Sequence, residues 1–206
     1  MQKNSRILAL FAIVCTAIVG IVNETTKDRI EAQKQQHLLK TLHSIIAPER
    51  LNNDMYQDCL TITDAELGTL APQTVYLARY NEQPVAAAIT TIAPDGYNGN
   101  IELIVALNID NTISGVRILN HQETPGLGDK IEERKSKWIF TFNDKKIPQE
   151  KDEQWKVAKD GGMFDQFTGA TITPRAVVKA VKKAARYFSK HQQELFSQAA
   201  NCRGER

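Results

Sequence analysis

Residues 101–109 have the sequence IELIVALNI, with an apolar side chain at every second position from Ile101 to Ile109. Successive side chains of a β-strand point to opposite faces, so this spacing predicts a strand with one apolar face. Asp110 and Asn111 then predict a turn, and a second strand-like segment follows at residues 113–119. Consecutive strands joined by a short turn indicate an antiparallel sheet rather than βαβ units.

Two further strand-like segments come earlier in the chain, at residues 74–80 and 85–93. Residues 81–84 (Asn-Glu-Gln-Pro) predict the turn between them, and the Pro, Gly and Asn residues of 94–99 predict a loop before the strand at Ile101. Residues 49–73 are mixed in character and are assigned to no element. The middle of the chain is therefore predicted to form an antiparallel sheet.

The C-terminal third predicts helices packed beside this sheet. A helix is expected over residues 130–138, a loop over 160–173 and a longer helix over 174–190, with Thr173 as its N-cap and Pro174 in its first position. The fold class is therefore predicted to be α+β. The apolar stripe of the last helix consists of Val177, Val181, Ala184 and Phe188.

The N-terminus carries an uninterrupted run of apolar or small residues, Ile7–Val22, preceded by Lys3 and Arg6. As a helix it would be about 24 Å long, close to the ~30 Å hydrocarbon core of a bilayer. A cleaved signal peptide is the alternative, but no small-x-small cleavage site follows the run. The sequence therefore predicts a transmembrane anchor.

Three parts of the chain are predicted from these patterns. Residues 1–26 form the membrane anchor, residues 27–48 an amphipathic connecting helix stopped by Pro48, and residues 49–206 a soluble domain.

The formal net charge of the 206 residues is only +2, and no aromatic–basic pattern is present, so nucleic acid is not expected as a partner. The histidines are scattered and CxxC spacing is absent, so no metal site is expected.

Two of the three cysteines, Cys59 and Cys202, lie in the predicted soluble domain. In an oxidising compartment they could form a disulfide between the start of the domain and its C-terminal tail. Two unrelated free thiols are the alternative. Cys15 lies in the anchor, where it serves as a small apolar residue.

The most specific string in the chain is DQFTGAT, residues 165–171. Gly169 and Ala170 leave space for a bulky group near the Thr171 hydroxyl. The predicted helix start at Pro174 would offer free N–H groups and a partial positive charge to a phosphate. Asp165 could bind loop amides or help hold a metal ion during modification. From the residues alone, a turn with a capping threonine is the favoured interpretation of the string.

This string resembles the flavinylation motif of the FMN-binding domain in Rnf complexes and Na⁺-translocating NADH:quinone reductases. The resemblance implies that a separate flavin transferase takes FMN from FAD and joins its phosphate to the hydroxyl of Thr171. Thr168 stands where many members of the family have serine, a change that keeps the hydroxyl. Thr168, Gly169, Ala170 and Asp165 are carried over with Thr171 as cofactor-binding residues.

A second string, ETPGLGD at residues 123–129, resembles the loop that borders the flavin in the same family. Pro125 and two glycines make a tight, open backbone that can approach a flat ring closely. The residues that this resemblance assigns to the cofactor are Glu123, Thr124, Gly126, Leu127 and Gly128.

Over nearly the whole chain, the resemblance is to the G subunit of Rnf-type ion-translocating oxidoreductases. It implies a single-pass inner-membrane protein with a periplasmic domain at residues 49–206, which associates with lipid and with other subunits of the complex. The anchor has no ionisable side chain except Cys15, so ion movement is expected in those subunits. The chain is expected to relay electrons through covalent FMN as the redox subunit of a translocase, without catalytic residues of its own.

Two other functions remain open. The first is an anchored periplasmic binding or sensory module that lacks covalent flavin. The second is a flavin transferase or other stand-alone enzyme, which would need nucleotide and Mg²⁺ ligands that the sequence does not display.

Overall fold

We describe a computed structural model of the chain over residues 2–146 and 153–202. The last four residues of the predicted domain, 203–206, lie outside the described part, as does the side chain of Lys3. The helices and strands are α1 (Gln2–Ile45), β1 (Cys59–Ile62), β2 (Gln73–Tyr80), β3 (Gln83–Gly96), β4 (Gly99–Asn108), β5 (Ile113–Asn120) and α2 (Ile172–Ser197).

Helix α1 contains the predicted anchor. Among the described residues, its segment Arg6–Lys27 is the one stretch long and apolar enough to cross a membrane, with a mean hydropathy of 2.3 and its side chains exposed. The hydroxyls of Thr16 and Thr25 donate to the carbonyls of Ala12 and Ile21 at 2.8 and 3.0 Å. These bonds satisfy the two hydroxyls within the helix, as an apolar environment requires. The segment is therefore compatible with a single-pass anchor.

The chain divides into two compact units, Met1–Thr41 and Leu42–Arg206. The second unit contains the last turn of α1, the sheet and α2. The helix ends at Ile45, within one residue of the end expected near Ile46 from the stop at Pro48, and Pro48 begins a short 3₁₀ turn, Pro48–Arg50. The predicted domain boundaries at residues 26/27 and 48/49 stay predictions.

The five strands form one sheet in the order β1-β2-β3-β4-β5, and every neighbouring pair is antiparallel. The predicted antiparallel sheet and the α+β class are confirmed. Strand β1 lies in the segment that the sequence left unassigned. It is only four residues long, too short to display a periodic pattern.

Both predicted connections around β3 are tighter than expected. The turn between β2 and β3 is only Asn81-Glu82, with φ of 49° and 65°, and Gln83 and Pro84 already belong to β3. Positive φ at both central residues is typical of the two-residue hairpin turn that matches the twist of the strands. The predicted loop at residues 94–99 was also wrong, because β3 continues through a register shift to Gly96 and only Tyr97-Asn98 turn the chain.

Both faces of the sheet are buried, although the pattern of β4 predicted a single apolar face. On one face, large aliphatic side chains such as Leu103 and Val105 join the main core with α2. The other face carries smaller side chains, including Ala86, Ala88 and Ala106, which are also fully buried. Small residues allow another segment to approach the backbone closely, and Ile45 packs against Gly115 on β5.

Helix α2 packs against β3 and β4 through the predicted stripe, and all four stripe residues are buried. Its predicted start was wrong by two residues. The helix begins at Ile172 with Thr171 as N-cap, and Thr173 lies inside the first turn. Pro174 in the third helical position is tolerated because the first N–H groups of a helix have no partner within it.

The helix predicted over residues 130–138 is absent from the described structure. Two 3₁₀ segments, Gly128–Ile131 and Trp138–Phe142, stand in its place. Burial of Trp138, Ile139 and Phe142 in the main core explains the difference, because tertiary packing overrides the weak helical preference of the charged residues between the segments.

The C-terminal tail lies along the outer edge of β1. The N–H groups of Asn201 and Cys202 donate to the Cys59 carbonyl at 3.0 and 3.3 Å, and the Asn201 side chain accepts from the Thr61 N–H at 2.6 Å. The Cα atoms of Cys59 and Cys202 are 5.4 Å apart and the two residues form a disulfide in the structure. The tail thus covers a strand edge that could otherwise pair with another chain.

Candidate functional site

The loop after β5 folds around one carbonyl group. The Thr124 oxygen accepts from the N–H groups of Leu127 and Gly128 at 3.1 Å and of Asp129 at 3.4 Å. Gly126 supplies the positive φ, +77°, that closes this turn, and a Cβ atom there would meet no neighbour within 4 Å. Leu127 projects from the loop and is 41% exposed. The result is a compact backbone with open space above Gly126.

The loop at residues 160–171 (the threonine loop) is fixed by two buried aromatic side chains. Phe164 packs against Phe142 with 4.6 Å between ring centroids, and Phe167 packs edge-on against Trp138 at 5.3 Å. The Trp138 indole N–H also donates to the Asp165 carbonyl at 2.8 Å. The side chain of Asp165, which lies between these two phenylalanines, is exposed. The side chain of Thr168, which follows them, is also exposed.

The turn at the end of this loop brings the two sequence motifs together. The Ala170 N–H donates to the Phe167 carbonyl at 3.0 Å, which places Thr168 and Gly169 at the corner of the turn. Gly169 has φ of +80°, and a Cβ atom on it would lie 3.6 Å from Cδ2 of Leu127. The structure therefore unites the two predicted loops in one exposed surface region.

Thr171 lies at the junction of this turn and α2. It is half-buried, and its side chain makes no capping hydrogen bond. The first intrahelical bond runs from the Arg175 N–H to the Thr171 carbonyl at 3.3 Å, so the N–H groups of Ile172 and Thr173 have no partner within the helix. An uncommitted hydroxyl beside free N–H groups at a positive helix terminus suits a phosphate ester.

Glu123 and Thr173 form a contact that the sequence did not predict. Their side chains are 4% and 1% exposed, and the Thr173 hydroxyl donates to Oε2 of Glu123. The other carboxylate oxygen, Oε1, accepts from the Asn98 N–H at 3.1 Å. Fifty positions separate Thr173 from Glu123, and no local pattern signals such a pair. The only available signal was that both residues border a motif.

Histidine and arginine side chains support the base of the first loop, which is the loop at residues 123–129 after β5. The ring of His121 accepts from the Glu123 N–H at Nδ1 (3.0 Å), while Nε2 contacts Oε1 of Glu132 at 2.9 Å. The hydrogen bond from Arg134 lowers the pKa of Glu132 below its ordinary value; burial acts in the opposite direction, and the hydrogen bond from His121 adds to the lowering. Glu132 therefore carries its negative charge at neutral pH and holds the His121 ring in place.

A second ion pair ties the threonine loop to α2. The Arg175 guanidinium forks onto the Asp160 carboxylate with distances of 2.6 and 2.8 Å. This hydrogen bond lowers the pKa of Asp160. Both groups are solvent-accessible, so the pair adds little stability but restricts the orientation of the loop.

These features fit a cofactor that has a phosphate and a flat ring. Thr171 and the N–H groups of Ile172 and Thr173 could hold the phosphate, and Gly126, Leu127 and Gly169 leave an open, partly apolar surface for a ring. A helix terminus beside a glycine loop on an antiparallel sheet, in a chain that also has an apolar N-terminal helix, is compatible with the class of membrane-anchored flavin-binding proteins.

Comparison with known proteins agrees with this class. Residues 96–186 match the family model of the FMN-binding domain, and residues 1–45 match that of the RnfG N-terminal region. Three relatives are each named as the G subunit of an ion-translocating oxidoreductase complex. The chain is 54% identical to the protein of Shewanella oneidensis and 53% identical to that of Shewanella piezotolerans, in both cases over 98% of this chain and 96% of the relative. It is 50% identical to the Vibrio cholerae protein over 100% of this chain and 98% of the relative.

The chain belongs to the RnfG family, the G subunits of ion-translocating oxidoreductase complexes. The matches confirm the predicted family and its flavoprotein character, with FMN as the cofactor of the domain. The individual cofactor contacts predicted for Thr171, its neighbours and the Glu123–Gly128 loop stay predictions.

Proposed function

We propose that this chain relays electrons between other subunits of an ion-translocating oxidoreductase complex through FMN esterified to Thr171. The observation that carries this proposal is the uncommitted Thr171 hydroxyl at the start of α2, next to the loop containing Gly126 and Leu127. Membership of the RnfG family supports the assignment to such a complex.

The surroundings of three threonines favour Thr171 as the attachment point. Thr173 is buried and its hydroxyl is committed to Glu123, so a transferase could not reach it without unfolding the first turn. Thr168 is exposed at the corner of a turn, four residues before α2 begins at Ile172. Thr171 combines partial exposure with those N–H groups, which would lower the energy of a bound phosphate.

Attachment requires a flavin transferase and FAD. The Thr171 oxygen forms a bond to the phosphorus of the FMN half, the bond from that phosphorus to AMP breaks, and the hydroxyl proton is released. This chain contributes the acceptor hydroxyl, the helix terminus and a rigid loop. Bound FMN would supply the redox chemistry, while Leu127 and the glycines would limit the positions of its ring.

The relay role assigns separate tasks to the parts of the chain. Residues 1–26 would tether the protein in the lipid of the inner membrane, residues 27–48 would connect, and residues 49–206 would carry the flavin in the periplasm. The Cys59–Cys202 disulfide supports this orientation, because such bonds persist in oxidising compartments. Ion translocation would occur in partner subunits, so the chain would act as a redox subunit of the translocase and would not be catalytic alone.

The test is covalent flavin fluorescence. Membranes containing the full-length chain and a flavin transferase are separated on a denaturing gel and viewed under ultraviolet light. We expect a fluorescent band for the wild type and none for Thr171→Ala, whereas Thr168→Ala should keep the band because its hydroxyl is not the acceptor. Mass spectrometry of the peptide then locates the added FMN.

Two results would contradict the proposal. A fluorescent Thr171→Ala band would move the attachment to another residue. A dark wild-type band, with the transferase shown to be active on another substrate, would favour the binding or sensory module instead.

A further inference from the structure

The loop at residues 123–129, the first turn of α2 and the β3–β4 turn meet at one buried carboxylate, that of Glu123. Glu123 receives a hydrogen bond from Thr173 in the first turn of α2 and another from the Asn98 N–H in the turn between β3 and β4. His121 fixes the backbone of Glu123 itself. Three segments that are distant in sequence are thus connected through one side chain, which is only 4% exposed.

Glycines surround this carboxylate because nothing larger fits. A Cβ atom on Gly128 would lie 2.8 Å from Oγ1 of Thr173 and 2.9 Å from Cβ of Glu123. A Cβ atom on Gly96 would lie 2.9 Å from Oε1 of Glu123 and 2.2 Å from the Gly99 carbonyl. The backbones of the first loop and of the β3–β4 turn are therefore in close contact with the Glu123–Thr173 pair.

Thr173 is two residues from Thr171, within the same turn of chain. A charge-assisted hydrogen bond between buried groups is strong and directional, since water cannot compete for either partner. It therefore fixes the first turn of α2 relative to Gly126 and Leu127. The exposed approach of Leu127 to Gly169 is a further contact between the two segments, but it involves no hydrogen bond that would fix their orientation.

We infer that Thr173 is a positioning residue, whose hydrogen bond to Glu123 holds the Thr171 hydroxyl and the Gly126–Gly128 loop in the geometry needed for flavin attachment. This inference rests on the proposed function. Thr173 itself does not contact the reacting atoms; it acts through the backbone of the first turn and through Glu123.

The test compares Thr173→Val with Thr173→Ser in the full-length protein. Valine keeps the shape but removes the donor, whereas serine keeps the donor. With purified transferase and FAD, we expect Thr173→Val to lower kcat for attachment about 10- to 100-fold, the range for a misplaced reacting group, with a smaller change in KM for the protein substrate. Thr173→Ser should recover most of the rate. Thr61→Val, at an exposed threonine of β1, is the matched control and should behave as wild type.

A second measurement does not depend on flavin. Amide hydrogen exchange of the flavin-free protein should be faster in Thr173→Val at residues 124–129 and 171–175, and unchanged in the rest of the sheet. If Thr173→Val fails to fold, as judged by circular dichroism, Glu123→Gln is measured instead. It carries no charge, so any hydrogen bond that its amide makes with the Thr173 hydroxyl is no longer charge-assisted, and both effects should have the same direction but a smaller size.

The two proposals fail in different ways. Wild-type rate and exchange in Thr173→Val, together with loss of fluorescence in Thr171→Ala, would overturn the positioning role and leave the attachment site intact. A fluorescent Thr171→Ala would overturn the attachment site, and the exchange data would still decide whether Thr173 connects the loops. Equal losses in Thr173→Val and Thr173→Ser would also reject the hydrogen bond as the cause.

Discussion

At the scale of single residues, the candidate site depends on where side chains are absent as much as on where they are present. Gly126 and Gly169 use positive φ angles to make their turns, and a side chain on Gly126 would meet only open space. Gly128 has a different role, because it allows the loop backbone to lie directly against Glu123 and Thr173. The string of glycines that indicated a flavin loop therefore combines conformational and packing requirements.

Gly128 provides a residue-scale prediction. Gly128→Ala should lower the free energy of unfolding by about 1–3 kcal/mol, the cost of overpacking a filled interior, because its Cβ atom would overlap the Thr173 hydroxyl. In a Thr173→Ala background that hydroxyl is gone, so the same substitution should cost less. Denaturant unfolding of the four proteins measures the coupling, which for residues in contact is about 0.5–3 kcal/mol. Strictly additive losses would show that the two groups do not meet.

At the scale of elements, the last turn of α1 is fixed to strand β5. The Ser114 hydroxyl donates to the Ile45 carbonyl, and the Arg117 guanidinium donates to the Ser44 carbonyl at 3.1 Å. Burial lowers the pKa of Arg117, while Glu133 acts in the opposite direction. A cation at a helix C-terminus also complements the helix dipole. The end of the helix is thus capped by side chains from the sheet.

Ser114→Ala tests this cap. Loss of the hydroxyl leaves the Ile45 carbonyl without that donor, which should cost about 1 kcal/mol and lower Tm by about 2–4 °C for a protein of this size. Ser189→Ala on the exposed side of α2 is the control and should change Tm little. Thermal unfolding of the full-length protein in detergent makes the comparison. Equal Tm values for the two variants would mean that the Ser114 contact adds nothing.

At the scale of the whole molecule, the disulfide joins the first strand to the C-terminal tail across 143 positions. A loop of that length strongly restricts the unfolded chain, by about 5 kcal/mol in the chain-entropy model. The bond encloses the sheet, both motif loops and α2 within one covalent ring. Its formation in cells also reports the compartment in which the domain folds.

The double variant Cys59→Ser/Cys202→Ser should therefore unfold at a lower denaturant concentration than wild type. Its free energy of unfolding should be lower by an amount that approaches about 5 kcal/mol. Without reductant, wild-type protein from cells should migrate faster on a denaturing gel than the double variant. Cys15→Ser, which changes the free cysteine of the anchor, should leave both properties unchanged. An unshifted wild-type band would contradict both the oxidised pair and the periplasmic orientation.

Much of the fold followed from local patterns. The alternation in β4, the apolar stripe of α2 and the N-terminal run each depend on the spacing of neighbouring residues, which the geometry of a strand or helix fixes directly. The patterns failed where distant contacts decide. Burial of Trp138 and Phe142 replaced the helix predicted at residues 130–138, and packing between Glu123 and Thr173 put Thr173 inside α2 rather than at its cap.

By itself, the sequence determined the α+β class, the order of most strands, the apolar anchor segment and the two motif strings that indicated a flavin site. Only the tertiary structure brought Leu127 next to Gly169, buried both faces of the sheet and joined Thr173 to Glu123. The physical reason is that the spacing of apolar side chains along a strand or a helix depends only on residues a few positions apart. Contacts across about fifty positions depend on how the finished elements pack, and no repeating pattern along the chain records them.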